Sequence, residues 1–308
     1  MSQSSSQEPE RSRLERAREL WGELGRHDSA LWRRIMRDGL DLLPDAFVRH
    51  TPPAFGLGFA IGLPRHRAIV RRVLRRVLGR RSEAREAIDV ARLFAAYACS
   101  LTDAFLAASP RAKDLRVHAK SDEPFLAAQR EGKGLILATA HTGGWQVAGR
   151  ALGDLLAADV LLVVRRERDA GAQAIQDEAR QRAGARVLHV GDGALDALPL
   201  LGHLRKGGVV AVQIDRLPQG VRGRKGLFFG EPFDIPEGPL RLAAVSGAPL
   251  VPVFTRRLGY MEYEVEAGSP IRLGRRPSGP ELDAATQALL AALERFVRAN
   301  PMQWFHFE

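Results

Sequence analysis

A single cysteine, Cys99, stands among 308 residues. No internal disulfide framework can brace the chain, and that usage suits a reducing compartment. Cys99 itself reads as a small buried hydrophobe. The eight histidines are scattered, with no H-x3-H and no C-x2-C spacing, which argues against a zinc-type site. Aromatic residues make up only 6% of the chain, too few for a base-stacking platform, and no nucleic-acid recognition motif is present. A phosphate-cradling G-x4-G-K-[ST] is also missing. GLGFAIG (Gly56–Gly62) has the wrong spacing for a dinucleotide fingerprint. No apolar run is long enough to span a bilayer. HTPPAFGLGFAIGLP (His50–Pro64) lacks Lys, Arg, Asp and Glu but is 15 residues long and studded with proline and glycine. A span needs roughly 20 apolar residues, so this stretch is expected to be buried or interfacial. The opening MSQSSSQEPERSR lacks the apolar core of a secretory signal and reads as a disordered lead, residues 1–13.

What the chain does have is 45% apolar and 27% charged residues, ordinary for a protein with a sizeable core. Its formal net charge of +10 favours anionic partners: phosphorylated substrates, an anionic membrane surface or nucleic acid. The last is the poorest fit, for the reasons above. Up to about residue 110 the pattern is helical. RHRAIVRRVLRRVLGRR (Arg65–Arg81) carries eight arginines and no acid, with apolar pairs recurring every four residues. That spacing predicts a helix with one apolar and one basic face. Two readings stand: a helix packed on the core with a solvated basic face, or one lying on an anionic membrane with its arginines at headgroup level.

From residue 132 the rhythm changes. Apolar runs at Leu135–Ala138, Val160–Val164, Val187–Val190, Val209–Ile214 and Pro249–Phe254 read as buried strands. Helix-period segments lie between most of them, for example Ala170–Ala183 and Ala194–Lys206, and a last helix is expected over Glu281–Ala299. This alternation predicts an α/β fold with a mostly parallel central sheet and helices on both faces, behind a helical N-terminal layer. No flexible linker interrupts it. One domain is expected over 14–308, divided into a membrane-facing helical layer (14–110) and an α/β core (111–308).

LATAHTGGWQVAG (Leu137–Gly149) carries the chemistry. Ligands of open α/β sheets sit at the carboxyl ends of strands, and His141 follows directly on the run Gly134–Ala140. Gly143 and Gly144 permit a tight turn and close backbone approach to a ligand, and Trp145 and Gln146 open the next helical pattern. An imidazole so placed is suited to take a proton as a general base; a capping or buried structural histidine is the plainer alternative.

His141-Thr-Gly-Gly-Trp-Gln146 resembles the H-x4-D/E motif of the lysophospholipid and glycerolipid acyltransferase superfamily. It is most similar to the branch holding the lipid A late acyltransferases (lauroyl acyltransferase-like) and the phosphatidylinositol-mannoside acyltransferases. LRKGGVVAVQIDR (Leu204–Arg216), GLFFGEPFDIPEGPLRLAAVSGAPLVPVF (Gly226–Phe254), EARQRAGARVL (Glu178–Leu188) and NPMQWFHF (Asn300–Phe307) also look like family blocks, in order. The resemblance implies a glycerol-3-phosphate acyltransferase-like fold and O-acyl transfer from a thioester to the hydroxyl of a lipid or glycolipid, with His141 as base. It implies no cofactor, with acyl-ACP or acyl-CoA as co-substrate. It also implies a peripheral protein on the cytoplasmic face of the inner membrane. Arg165, Arg180 and Arg216 would hold phosphates of acceptor or carrier. Gly144, Trp145 and Asp215 would belong to the substrate site, and Gly230, Glu237 and Gly238 would shape the acceptor pocket.

The family's acid is missing: position 146 is glutamine. Its side-chain oxygen can fix the tautomer of the ring, as Asn does in some cysteine proteases, but cannot supply a full charge to an imidazolium. Three arrangements remain open. Gln146 orients the ring and catalysis is slow; another acid, Asp215 or Glu237, reaches the ring; or the protein binds lipid without reacting.

Overall fold

Proline opens two of the first helices instead of breaking them. The computed structural model describes residues 39–40, 42–121, 123–147, 158–165, 170–182, 186–191 and 197–308; the expected disordered lead, 1–13, lies outside them. After α1 (Asp45–His50), α2 (Pro52–Gly62) and α3 (Pro64–Leu78) each begin on proline, where the missing N–H costs no intrahelical bond. In α2 only Pro52, Gly56 and Ala60 are buried. This small-residue stripe lies on α4 (Glu83–Leu106), so tightly that a Cβ on Gly56 would stand 2.5 Å from the Phe94 carbonyl oxygen. The large side chains Phe55, Leu57, Phe59 and Ile61 are left exposed.

Helix α3 has the expected two faces, and the apolar one is packed. Val70 and Leu74 meet Val90, Leu93 and Phe94 of α4 and Phe305 near the chain end. Several arginines are tied down. Arg75 pairs with Glu86 at 2.7 Å and Arg71 with the same carboxylate at 3.5 Å, while Arg81 reaches Asp89 at 3.2 Å. Of the two readings of this segment, the structure therefore has the core-packed helix, whose apolar face is closed to a bilayer.

Beyond β1 (Arg116–Ser121) and α5 (Glu123–Gln129) comes the sheet centre. In β2 (Leu135–Thr139), Leu135 and Leu137 enter one core while Ile136 and Ala138 enter the other. Strands covered on both faces read as continuous apolar runs, which is why β3 (Val160–Arg165), β4 (Arg186–Val190) and β5 (Val209–Gln213) were legible. Helix α6 (Ala170–Arg182) precedes β4, and α7 (Leu198–Arg205) precedes β5. A two-stranded hairpin follows, β6 (Gly223–Phe228) and β7 (Glu231–Pro236), then α8 (Gly238–Ser246), β8 (Leu250–Gly259), β9 (Glu262–Ala267) and α9 (Gly279–Ala299). The seven strands run in the order β1-β9-β8-β2-β5-β3-β4, parallel throughout except for the β8–β9 pair. The fold is thus the expected α/β class with a mostly parallel sheet. Leu200 of α7, Leu240 of α8 and Leu289 and Leu293 of α9 fill one core with Ile136 and Val210; Phe125 and Ala128 of α5 cover the opposite face.

Candidate active site

Strand register brings the reacting groups together. Thr139 of β2 pairs with Gln213 of β5, and the Ile214 N–H donates to the Thr139 carbonyl at 2.8 Å as both chains leave the sheet. Two residues past each partner stand His141 and Asp215. The His141 backbone N–H donates to Asp215 Oδ2 at 3.0 Å, and ring Nδ1 lies 2.9 Å from Oδ1. Asp215 is fully buried. Burial alone would raise its carboxyl pKa, but the charge and hydrogen bonds of His141, with Arg216 beside it, outweigh burial and hold it well below the usual carboxylate range. An ionised carboxylate only accepts, so Nδ1 carries the ring's proton and a neutral ring keeps its lone pair on Nε2.

The turn after His141 is built by contacts that leave no room for other residues. Thr142 N–H returns to the Ala140 carbonyl at 2.7 Å, and Thr142 Oγ1 accepts from the Thr255 N–H of β8 at 3.2 Å. Gly143 has φ +45°, and any side chain there would strike the Thr255 carbonyl. Gly144 is pressed against the Tyr263 ring of β9. A segment after α9 clamps the far side. Gly143 N–H donates to the Gln303 carbonyl at 2.9 Å, Phe305 N–H to the His141 carbonyl at 2.7 Å, and the indole N–H of Trp304 to Asp215 Oδ2 at 3.0 Å.

His141 lines a cavity of about 970 Å³ together with Trp145, Gln146, Arg180, Arg216 and Gly238. Its walls include Val163, Leu200, Val210, Val212 and Leu242, so a largely apolar chamber carries a few polar groups at the sheet end, the usual composition of a ligand site. Among the described residues no group of three His, Cys, Asp or Glu is placed to hold a metal ion.

A family model described as bacterial lipid A biosynthesis acyltransferase matches residues 34–308. The chain belongs to this family. It is also similar to phosphatidylinositol mannoside acyltransferases of Mycobacterium tuberculosis, from strains ATCC 25618 / H37Rv and CDC 1551 / Oshkosh. Each is 30% identical over 183 residues, 58% of this chain and 54% of the relative. The match thus spans about half the length of these curated relatives.

Against the acyltransferase motif, Gln146 stands at the acid's position and lines the cavity, but the carboxylate on the ring is Asp215. Glu237, the other acid considered, is engaged elsewhere: it precedes α8, accepts from Arg241 Nε at 2.5 Å and faces Arg224 at 3.7 Å. Gly238 and Trp145 line the chamber, and the Trp145 ring meets His141 edge-on at 5.9 Å. Arg216 also lines it, yet donates to the Phe305 carbonyl at 3.1 Å and pairs with Glu308 at 3.4 Å. Arg180 lines it while paired with Asp177 at 3.1 Å. Gly230 is instead a turn residue of the β6–β7 hairpin at φ +77°, and Gly144 packs on Tyr263 behind the turn. The side chain of Arg165, at the end of β3, lies outside the described residues. Trp304, in the block NPMQWFHF, is a further residue that reaches the site. Its signal was chemical: a buried indole N–H requires an acceptor.

Proposed function

We propose that the protein transfers a fatty acyl group from a thioester, acyl-ACP or acyl-CoA, to a hydroxyl of a lipid or glycolipid, with His141 as general base. The observation that carries this reading is the His141–Asp215 pair, 2.9 Å apart, whose histidine lines a largely apolar 970 Å³ chamber. The acceptor hydroxyl attacks the thioester carbonyl while Nε2 takes its proton. The tetrahedral adduct then collapses, breaking the C–S bond, and the imidazolium returns the proton to the leaving thiolate. Asp215 stabilises the imidazolium between these steps, the charge Gln146 lacks. This favours an active enzyme over an inactive lipid-binding homologue. Gln146, Arg180 and Arg216 would contact the polar ends of the substrates. The names of the mycobacterial relatives support a sugar-bearing lipid as acceptor.

The test is acyl transfer from palmitoyl-CoA to phosphatidylinositol mannoside or a lipid A precursor. His141→Ala should abolish it. Asp215→Asn should lower kcat by about 10⁴, as the matching change does in a Ser-His-Asp site. Gln146→Glu should leave activity near that of the parent. An inactive parent rescued by Gln146→Glu would establish the inactive-homologue reading, and an active His141→Ala would remove the proposed base.

The protein also works at a membrane surface in this reading, as a peripheral protein on the cytoplasmic face of the inner membrane. Support comes from α2. No described helix is long and apolar enough to cross a membrane, yet α2 exposes Phe55, Leu57, Phe59 and Ile61, and α3, which follows it directly, exposes Arg65 and Arg72. Apolar side chains beside cations suit an anionic interface. The same layer adjoins the chamber: Tyr97 of α4 and Phe307 both line it, with ring centroids 5.0 Å apart, and Phe307 meets His66 of α3 at 6.5 Å.

A further inference from the structure

Among the described residues Asp215 accepts three hydrogen bonds, and their division between its two oxygens is unequal. Oδ1 faces the ring nitrogen of His141, at 2.9 Å. Oδ2 takes the His141 backbone N–H and the Trp304 indole N–H, each at 3.0 Å. The backbone donor and the ring belong to one residue and would follow it if the carboxylate turned. The indole is the donor that comes from outside. We infer that Trp304 is a positioning residue of the acyltransferase site, its N–H anchoring Oδ2 so that Oδ1 is held toward the imidazole.

The indole is equipped for that task. It is 2% exposed, and its ring is fixed edge-on by Phe228 of the hairpin at 5.1 Å, tilted against Phe233 at 6.2 Å, and stacked on His306 at 4.9 Å with a 20° interplanar angle. An isolated bridge between Thr142 and Trp304 ties its backbone to the turn that carries His141. A tryptophan serving only to fill space could point its N–H at any acceptor. Here the N–H goes to a buried carboxylate, where a charge-assisted hydrogen bond is stronger than a neutral one. Among the described residues, the charged and titratable groups around the stacked His306 are Asp215, Arg216, Glu308 and His141. Burial lowers the His306 pKa, opposed by Asp215 and assisted by Arg216, so a neutral imidazole lies against the indole.

The inference rests on the His141 reading above, and the experiment separates the two. In the full-length protein, residue 304 is replaced by benzothienylalanine, which keeps the bicyclic shape and exchanges N–H for sulfur; Trp304→Phe is made in parallel. With palmitoyl-CoA and phosphatidylinositol mannoside, kcat should fall about tenfold, the worth of one hydrogen bond to a charged group. KM should stay within about twofold, because the indole is not among the residues that line the chamber. The acid limb of kcat/KM should move to lower pH, since a carboxylate no longer held toward the ring stabilises the imidazolium less. The loss should vanish in an Asp215→Asn background, as a double-mutant cycle requires of residues acting through one another. The low-field NMR signal of the His141 Nδ1 proton should also shift in the benzothienylalanine protein, a readout that needs no turnover. An unmoved signal, acid limb and kcat, alongside an inactive His141→Ala, would overturn the role of Trp304 and leave the general base standing. Activity retained by His141→Ala would instead remove the base itself.

Discussion

The charge that replaces the missing acid lies 69 positions downstream of Gln146, and its protonation sets a pH signature. The Asp215 carboxyl is held below the range of an unfolded aspartate, near 3.9, against the opposing effect of burial. A depressed carboxylate contributes stability that is fully present above that unfolded value and is lost as pH falls toward the folded one. Acid denaturation followed by circular dichroism should therefore steepen below about pH 4 in the parent, and Asp215→Asn should flatten that part of the curve. An unchanged acid limb of stability would mean that the pair carries no net linkage. Legibility at this scale was uneven. His141 stood out because a lone polar residue ended an apolar run and two glycines followed. Asp215 could be named only as one of two acids within reach. What joins it to His141 is the adjacency of β2 and β5 and their register, a long-range pairing that a linear reading does not contain.

At the scale of elements, burial on both faces made strands legible and burial on one face hid them. β2, β3, β4 and β5 are near-continuous apolar runs. β9 reads EYEVEA, with Tyr263 and Val265 inside and acids turned outward, and the β6–β7 hairpin buries little beyond Phe228, Ile235 and Pro236. Their pattern is that of a half-solvated ladder, with no continuous apolar run to mark it. Helix α2 shows the converse: its apolar run read as buried or interfacial, and the stripe that is buried is the small one. Gly56→Leu should force α2 from α4, an overpacking cost of about 1–3 kcal/mol, seen as a lower Tm and as protease access to the α2–α3 junction. Gly58→Leu should cost far less, because nothing lies within 4 Å of its would-be Cβ.

At the scale of the whole molecule, the basic excess of the sequence is divided between structure and surface. Arg71 and Arg75 are spent on Glu86. Arg76 donates to the Phe228, Glu231 and Pro232 carbonyls and lies over the Phe228 and Phe233 rings. Charge reversal there would damage the fold before it reported on lipids. The informative set is Phe55, Leu57, Phe59 and Ile61. Changing them together to serine should weaken sedimentation with phosphatidylglycerol-containing vesicles by about tenfold or more, since each buried CH₂ contributes about 0.8 kcal/mol. Arg65→Glu with Arg72→Glu should weaken it at low salt chiefly. Vesicle binding untouched by both sets would remove α2 and α3 as the proposed membrane contact.

The paired departure of two parallel strands has a last consequence. His141 and Asp215 each stand two steps beyond cross-strand neighbours, so the lengths of both exits are locked to one another. An extra residue in one exit would shift one partner while leaving the other in place, and the 2.9 Å contact between His141 and Asp215 would be lost even in a well-folded sheet. Insertions that leave the site intact are therefore expected only in connections away from these two short exits.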